Sequence, residues 1–436
     1  MDETRCLAVA WRMHWSGDWL VPHLGEHPYS DKPPLLLWLI NLGWSVFGVS
    51  ETWARLVPML FAPLAMLLTA RLARRLWPAR AAAVESAPVL LCGAALFALC
   101  STVIMYDMLL TTCVLAALLA LEAGRRVSGP RPWLGLGAAL GLGLLAKGPV
   151  VLLHVAPAAL GAPLWARSPR PARWGRFYGG LGLALLVALA IAGAWALPAL
   201  SAGGPEFSRA ILWGQISKRI EATDLHLHNR PWWFYAPLLL GALLPWIAWP
   251  RLWRGLSALR AQPADDGVRL CLLWAGVSVL VSSLVVAKQP HYMLPVIPAL
   301  ALLAARALDS RPVAAEWMAA GMALAITAGL AFVVPAVLPD YDVRPAAQEL
   351  AAIQGSGRSI AMLEEYRGEY DFAGRLRAPI VSIHDYELDA WLAQHPDGVV
   401  LTRDTGGEAL PLFASFMPDL QMHSALPPVL RPPASP

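Results

Sequence analysis

Charge is scarce in this chain of 436 residues, because Asp, Glu, Lys and Arg together make up only 15% of it. A typical soluble domain carries about 25% charged residues. Hydrophobic residues make up 57%, which excludes an intrinsically disordered chain and argues against a simple soluble enzyme. Cysteine is also rare, and five Cys in a chain of this length exclude a disulfide scaffold. The net charge of +4 comes from Arg in short loops between apolar runs, so it does not indicate a nucleic-acid partner.

Long apolar runs take the place of the missing charge. A membrane-spanning helix needs about 20 mostly apolar residues, and ten runs of the sequence approach this length. These runs cover approximately Leu56–Leu76, Ala87–Met105, Met108–Gly124, Trp133–Ala146, Pro149–Trp165, Tyr178–Leu200, Trp232–Trp249, Leu270–Ala287, Tyr292–Leu308 and Trp317–Leu338. We therefore predict an all-α polytopic membrane protein with about ten spans.

Arginine placement predicts the orientation of these spans. Seventeen Arg and no Lys lie in the loops around 71–80, 125–131, 167–176, 251–269 and 306–311, which fall between alternate spans. The positive-inside rule assigns these loops to the cytoplasm and places both chain ends on the outer side. An N-terminus on the outer side would need a preceding helix that crosses the membrane from the cytoplasm. We therefore expect that this first helix is missing from the sequence. The alternative is a genuine outside N-terminus.

Composition divides the chain into two predicted domains. Residues 1–339 form a membrane domain, in which 1–55 is an outer loop with interfacial helices at about Thr4–Trp15 and 35–49, and 56–339 contains the spans. Residues 340–436 carry a net charge of −7 and alternate short apolar runs with amphipathic stretches. The predicted strands are Ser359–Leu363, Pro379–Ile383 and Val399–Thr402, and the predicted helices are Ala346–Gln354 and Tyr386–Gln394. We predict a small extracytoplasmic α/β domain with a disordered Pro-rich tail.

Lysine is the rarest basic residue, with four Lys against 30 Arg. Lys32, Lys147, Lys218 and Lys288 all map to the outer side, and three of them stand close to Pro where the chain meets the membrane. A Lys ammonium is a compact point charge that suits phosphate oxygens. A single Lys at a helix end can also be explained by snorkelling to the interface. Three on one face favour a functional site.

Acidic residues lie on the same predicted face. Asp2 and Glu3 open the chain, Asp31 precedes Lys32, and Asp107 stands at the outer end of a span. An acid at membrane depth is costly and is a functional candidate, although Asp107 could instead be a helix N-cap. Carboxylates, cations and access from lipid suit a substrate with a phosphate head and an isoprenoid tail. A divalent metal stays open as an alternative, because Asp31 and His291 could meet, but no ligand motif is specific.

Several strings of the sequence carry a family resemblance. They are Asp2–Arg5, Gly17–Pro22, Asp31–Leu36, Phe47–Gly48 with Arg55, Lys147–Pro149 and His291–Pro295. With these strings the chain resembles the polyprenyl-phosphate-dependent glycosyltransferases of the GT-C class, namely lipid A aminoarabinose transferases and protein O-mannosyltransferases of the glycosyltransferase family 39 type. The resemblance covers roughly residues 2–310. Two features depart from the family pattern. The family's first membrane helix is absent, and Cys6 stands where members often carry Tyr.

The resemblance implies a role for each candidate residue and a helical membrane domain with a smaller soluble domain outside. The implied roles are Asp2, Glu3 and Asp107 as acids at the reaction centre, Arg5, Lys32, Lys288, His291 and Tyr292 at the donor phosphate, and Asp31 and Lys147 lining the cavity. The implied reaction moves a sugar from a polyprenyl (undecaprenyl) phosphate donor to lipid A, protein or a cell-envelope glycan. It would take place at the outer face of the bacterial inner membrane, in contact with the lipid bilayer and without nucleic acid.

Two other functions remain open at this point. A transporter of polyprenyl lipid or of a solute also needs charges at membrane depth, but it more often shows repeated halves and helices broken at the middle of the bilayer. The sequence shows no such repeat, and its charges gather at one face. The second alternative is a catalytically inactive relative of the family.

Overall fold

The computed structural model describes residues 2–167, 173–211, 230–308, 313–333, 336, 342–363 and 365–402. Up to residue 211 the helices are α1 (Asp2–Ser16), α2 (Leu35–Phe47), α3 (Glu51–Leu76), α4 (Ala81–Cys92), α5 (Ala95–Cys100), α6 (Tyr106–Arg126), α7 (Arg131–Lys147), α8 (Val150–Leu160), α9 (Ala162–Trp165), α10 (Trp174–Ala202) and α11 (Gly204–Arg209). A short antiparallel hairpin of β1 (His23–Leu24) and β2 (His27–Pro28) lies between α1 and α2.

The chain after residue 230 adds further helices and a small sheet. The helices are α12 (Tyr235–Ala242), α13 (Pro250–Arg260), α14 (Asp266–Leu284), α15 (Ile297–Leu308), α16 (Val313–Ala328), α17 (Arg344–Gly355) and α18 (Leu388–Gln394). Short 3₁₀ turns occupy Trp246–Ala248, Pro290–Val296 and Asp385–Glu387, and a π-helical turn occupies Gly329–Val333. The strands are β3 (Ile360–Leu363), β4 (Val381–Ile383) and β5 (Val399–Leu401).

Six helical segments in the described part of the chain are long and apolar enough to cross a membrane. They are Glu51–Leu76, Tyr106–Arg126, Trp174–Ala202, Asp266–Leu284, Pro290–Leu308 and Val313–Phe332. Each agrees with one of the ten predicted spans. The protein is therefore a mostly helical, multi-pass membrane protein, while the predicted number of ten spans is not confirmed.

The other four predicted runs are shorter or broken. The run at 133–146 forms α7, which has 17 residues, and the run at 149–165 divides into α8 and α9. The run at 87–105 breaks between α4 and α5, and the run at 232–249 breaks after α12. These two breaks support each other, because the backbone N–H of Ala95 donates to the carbonyl of Leu244 at 2.9 Å. Non-helical backbone inside a membrane protein is tolerated where protein groups satisfy it in this way.

Close helix packing places α6 in the middle of the membrane region. It packs against α3 on one side and α7 on the other, and α7 in turn packs against α10. Glycines make the contact between α7 and α10 tight, since a Cβ at Gly137 would lie 2.6 Å from the carbonyl oxygen of Ala184, and one at Gly141 would lie 2.8 Å from Cβ of Ile191. Small residues at such contacts allow helix backbones to approach closely. The packing fixes both ends of α6 and α7 relative to one another.

At one end of the bundle, α1 and α2 form a buried platform. Asn41 of α2 donates to the backbone carbonyl of Ala10 in α1 at 3.1 Å, and Trp38 donates to the carbonyl of Trp19 at 2.8 Å. The predicted interfacial helices at 4–15 and 35–49 are thus close to the observed bounds. Both helices bury apolar side chains against protein and not against lipid alone.

The described part of 340–436 contains a parallel sheet in the order β4, β3, β5, together with α17 and α18. All five predicted elements occur within about two residues of the predicted bounds. The unit contacts the platform, because Trp11 of α1 donates to the carbonyl of Leu376 at 2.7 Å and Phe372 stacks on Trp44 with ring centroids 5.3 Å apart. Its assignment as a separate extracytoplasmic domain stays a prediction, and its Pro-rich tail lies outside the described residues.

Candidate active site

A buried ion pair joins the neighbouring ends of α6 and α7. The Lys147 ammonium nitrogen lies 2.6 Å from Oδ1 of Asp107, and the two residues are only 5% and 2% exposed. Asp107 stands in the first turn of α6 and Lys147 is the last residue of α7, so two adjacent helices bring them together. The N-cap alternative for Asp107 is wrong, since the cap position is Met105 and no side chain caps this helix. Removing either charge would leave the other buried and unpaired.

The 3₁₀ turn Pro290–Val296 adds two more predicted residues to this pair. His291 Nε2 lies 3.9 Å from Oδ2 of Asp107, and the ammonium of Lys147 lies 4.8 Å from the ring centroid of Tyr292. An ammonium over an aromatic ring gains a cation–π attraction. The His291 and Tyr292 rings meet edge to face, with centroids 4.8 Å apart. Asp107, Lys147, His291 and Tyr292 therefore form one cluster, which we call the outer cluster.

Lys288 makes its described hydrogen bonds outside this cluster. The Lys288 ammonium donates to the backbone carbonyls of Arg230, at 2.9 Å, and Val285, at 2.5 Å. Burial lowers the pKa of this ammonium group. Lys288 is thus anchored to backbone in the turn that leads to His291. Lys218 lies outside the described residues.

Glu3 in α1 is held by two strong partners. Its carboxylate accepts a hydrogen bond from the backbone N–H of Ile104 at 2.7 Å and forms an ion pair with Arg55 at 3.1 Å. Arg55 also pairs with Glu51 at 2.7 Å, one turn earlier on α3. Glu3 therefore fastens α1 to α3 and to the segment that leads into Asp107. Asp2 begins α1, and its side chain lies outside the described residues.

Arg5 and Asp31 form a second, looser pair near the start of α1. One guanidinium nitrogen of Arg5 lies 3.6 Å from Oδ2 of Asp31. The Nε of Arg5 is buried and has no hydrogen-bond partner among the described residues. Lys32 follows Asp31 and is half-buried. The pair places the Arg5 guanidinium close to the Asp31–Lys32 segment.

The first turns of α1 connect the two groups of charges. Beside Glu3 and its bond to Ile104, the Sγ of Cys6 lies 3.8 Å from the Tyr106 hydroxyl. Cys6, Tyr106 and Ala146 belong to one apolar cluster of buried residues. The Arg5–Asp31 pair and the outer cluster thus lie at the same end of the helical bundle.

The two residues considered for a divalent metal have different partners. Asp31 pairs with Arg5, whereas His291 lies beside Asp107. Within the described ranges, no group of three or more His, Cys, Asp or Glu side chains is placed to hold a metal ion. The metal stays an untested alternative.

Sequence reasoning missed two polar contacts in this region. Arg55 was not a candidate, although its spacing from Glu51 is the i, i+4 spacing that predicts a helical ion pair. The second contact joins α8 to α14, where Nδ1 of the buried His154 lies 3.0 Å from the Ser278 hydroxyl. No spacing in the sequence indicates this pair, because the two residues meet only through helix packing.

Comparison with known proteins finds a family model and named relatives that match this chain. Residues 31–195 match the family model described as dolichyl-phosphate-mannose-protein mannosyltransferase. The chain is 35% identical over 354 residues to the undecaprenyl phosphate-alpha-4-amino-4-deoxy-L-arabinose arabinosyl transferase of Pseudomonas paraeruginosa, a match that covers 80% of this chain and 62% of that protein. The protein of the same name from Pseudomonas aeruginosa is also 35% identical, over 71% of this chain and 55% of its own length.

A solved structure shows the same fold. The crystal structure of ArnT from Cupriavidus metallidurans bound to undecaprenyl phosphate matches with a TM-score of 0.74 and 20% identity, over 96% of this chain and 90% of that chain. The chain spans about 55–62% of the length of the curated relatives named above. The sequence matches and the shared fold agree with the resemblance to the GT-C glycosyltransferases: the chain is similar to these relatives over most of its own length and has the fold of the solved structure.

Proposed function

We propose that this protein transfers a sugar from a polyprenyl phosphate to an acceptor at the outer face of the bacterial inner membrane. The observation that carries the proposal is the buried Lys147–Asp107 pair, with His291 and Tyr292 against it. Buried charges at membrane depth are costly and mark functional sites. The names of the curated relatives support undecaprenyl as the lipid and 4-amino-4-deoxy-arabinose as the first sugar to test.

The donor phosphate binds to the cationic groups at the start of α1 and in the following loop. Arg5 offers its buried Nε, and its pair with Asp31 at 3.6 Å is long enough to yield to a phosphate. Lys32 adds a second cation beside Asp31. Arg and Lys bind phosphate oxygens through charge-assisted hydrogen bonds. Tyr292 and Lys288 are the further groups that we propose for the donor phosphate.

In the proposed sugar transfer, negative charge develops on the lipid phosphate. An acceptor oxygen attacks C1 of the sugar, the bond between C1 and the phosphate oxygen breaks, and its electron pair remains on the lipid phosphate. Fixed cations near the leaving oxygens stabilise that negative charge, which is often the largest contribution to catalysis. For a hydroxyl acceptor, the Asp2 carboxylate takes the proton, a general-base role that contributes about 10²–10⁴-fold. A phosphate acceptor needs no such step.

The Lys147–Asp107 pair holds the outer cluster in place for this reaction. Asp107 fixes the ammonium of Lys147 beside Tyr292, and its second oxygen faces His291. Asp107 therefore acts as the acid that lines the cavity, and Lys147 as its partner. The pair sets the positions of the two aromatic groups that meet the donor.

The region 340–436 is proposed to lie outside the cytoplasm and to bear on the choice of acceptor. The contacts of Leu376 with Trp11 and of Phe372 with Trp44 support this proposal, because α1 and α2 lie at the end of the bundle that carries the outer cluster. The basic residues in the last turns of α3 and α6, which are Arg74, Arg75, Arg125 and Arg126, lie at the other ends of these helices, the side that the positive-inside rule assigns to the cytoplasm.

Comparison of envelope glycolipids and glycoproteins tests the proposal. Mass spectrometry of cells with and without the gene should show a sugar-modified acceptor that disappears with the gene and returns with the wild-type copy. The sugar-loaded polyprenyl phosphate should accumulate in the cells that lack it. An unchanged set of glycoconjugates together with unchanged donor lipid would contradict the proposal.

A further inference from the structure

A cavity of about 610 Å³ lies at the opposite end of the bundle from the outer cluster. It is bounded by the end of α6, the turn into α7 and the first two turns of α10. Because α6 carries Asp107 in its first turn and Arg126 as its last residue, its 21 residues separate the two regions by about 30 Å. This distance is about the thickness of the hydrocarbon core of a bilayer. The cavity therefore opens toward the other leaflet.

Positive charge exceeds negative charge in this cavity. Arg126, Arg173 and Arg176 line it, and Arg173 and Arg176 are exposed. Among the described carboxylates of this region, Glu122 is already bound by Arg125 and Arg126, and Asp266 pairs with Arg125 and Arg269.

The described ion pairs therefore leave Arg173 and Arg176 as uncompensated cations at the mouth of the cavity. The α10 helix begins at Trp174, between these two residues, so the positive end of its dipole adds to their charge. An anion of the size of a phosphate would be attracted to this place.

The wall behind these cations is apolar. Trp133 and Phe177 meet edge to face with ring centroids 5.2 Å apart, and Leu183 lies one to two turns further along α10. A Cβ at Gly180 would lie 2.2 Å from the Trp133 ring, so this glycine lets the indole lie flat against α10. The lining thus passes from guanidinium groups to aromatic and aliphatic surface along the direction in which a lipid chain runs.

We propose that this cavity binds one anionic glycerophospholipid of the cytoplasmic leaflet. Arg173 and Arg176 take the phosphate, and the acyl chain lies along Gly179 and Leu183, in front of the buried Phe177. Basic pockets between transmembrane helices on the cytoplasmic side bind anionic lipid headgroups. A surplus of positive charge alone is explained by orientation in the membrane, but a cavity with cations at its mouth and an apolar wall is not. The site is separate from the outer cluster and does not depend on the proposed transfer reaction.

Lipid binding to the purified full chain tests this site. Native mass spectrometry in detergent measures retention of short-chain phosphatidylglycerol, with phosphatidylcholine of the same chain length and inorganic phosphate as the other probes. The test variant is Arg173→Gln/Arg176→Gln. The matched control is Arg254→Gln/Arg260→Gln, which removes two exposed Arg from α13 on the same predicted side but outside the cavity.

We expect the wild-type protein to retain one phosphatidylglycerol at least fivefold more strongly than phosphatidylcholine. The test variant should lose this preference, and the control should keep it. Equal losses in both variants would overturn the proposal, because binding would then reflect overall charge. Displacement of the lipid by inorganic phosphate at low millimolar concentration would also overturn it, because the site would then recognise a free anion. Retention of the preference in the test variant would place the lipid elsewhere.

Discussion

Lys147 and Asp107 face each other across the ends of two packed helices, with 2.6 Å between the ammonium nitrogen and Oδ1. Both side chains are almost fully buried, so their charges depend on each other. The pair therefore stabilises the structure of the site and also contributes to its charge distribution. Its removal must be tested so that loss of folding and loss of chemistry can be told apart.

A double-mutant comparison separates these two effects. Lys147→Met leaves the Asp107 carboxylate buried without its cation, and breaking one partner of a buried pair costs about 3–5 kcal/mol of unfolding free energy. Asp107→Asn/Lys147→Met removes both charges and should lose clearly less stability than Lys147→Met alone. Unfolding by denaturant measures the free energies of four detergent-purified proteins, which are the wild type, Lys147→Met, Asp107→Asn and the double variant. Purely additive losses would show that the two charges do not interact.

Arg5 is predicted to set the affinity for the donor lipid. Arg5→Lys keeps the charge but loses the Nε donor that is buried next to the Asp31 pair. We expect KM for the polyprenyl phosphate donor to rise about tenfold, the ratio that a loss of about 1.4 kcal/mol produces. Steady-state kinetics at varied donor concentration measure this change. Arg12→Lys on the same helix is the control, and an equal rise in KM for that variant would contradict a specific role for Arg5.

Glu3 and Glu51 share Arg55 but should not be equivalent. Glu51→Gln alters one ion pair at the surface, and we expect the unfolding free energy to change by no more than about 0.5 kcal/mol. Glu3→Gln also weakens the bond to the Ile104 N–H, which positions the segment before Asp107. Turnover should fall about tenfold in Glu3→Gln and stay near wild type in Glu51→Gln. Equal turnover in the two variants would refute a positioning role for Glu3.

A buried acid in the region 340–436 predicts a pH dependence. Burial raises the pKa of Asp371 to about 6 against the opposing hydrogen bond from the Tyr366 hydroxyl, which lies 2.6 Å away. Because the folded state holds this proton more tightly than the unfolded state, stability is greatest at low pH and falls as the pH rises from about 4 to about 6. The loss amounts to about 1–3 kcal/mol. Hydrogen exchange of residues 360–401 between pH 4.5 and 7, corrected for the intrinsic rate, measures it.

Asp371→Asn should flatten that pH dependence and should protect the segment more than wild type at pH 7. The control is Asp389→Asn on the exposed face of α18, which should leave the dependence unchanged. Stability that rises with pH in the wild-type protein would contradict the assignment to Asp371.

Much of the helical framework is predictable from the sequence, because long apolar runs such as 56–76 and 178–200 have no other stable state in a bilayer. The broken runs are not predictable in the same way. The break between α4 and α5 is stabilised by the contact from Ala95 to Leu244, which links segments far apart in the chain. A hydropathy pattern records neither the break nor its partner.

The candidate site was also predictable only in part, because the sequence indicated its residues but not their contacts. The acid at membrane depth, the rare lysines and the later family strings indicated Asp107, Lys147, His291 and Tyr292 separately, and the structure brings these four together. That Lys147 would be the direct partner of Asp107 could not be predicted, since it depends on the packing of α7 against α6. The contact of Glu3 with the Ile104 backbone was hidden for a similar reason, because sequence patterns record side chains and not backbone donors.

The most direct test of the site is release of undecaprenyl phosphate from a sugar-loaded undecaprenyl phosphate by purified protein with acceptor present. Wild-type protein should release the lipid phosphate. In Asp107→Asn/Lys147→Met the rate of release should fall by about 100-fold or more, while the unfolding transition stays cooperative. Release at the wild-type rate by this folded variant would contradict the account, because the reaction would then proceed without the buried pair.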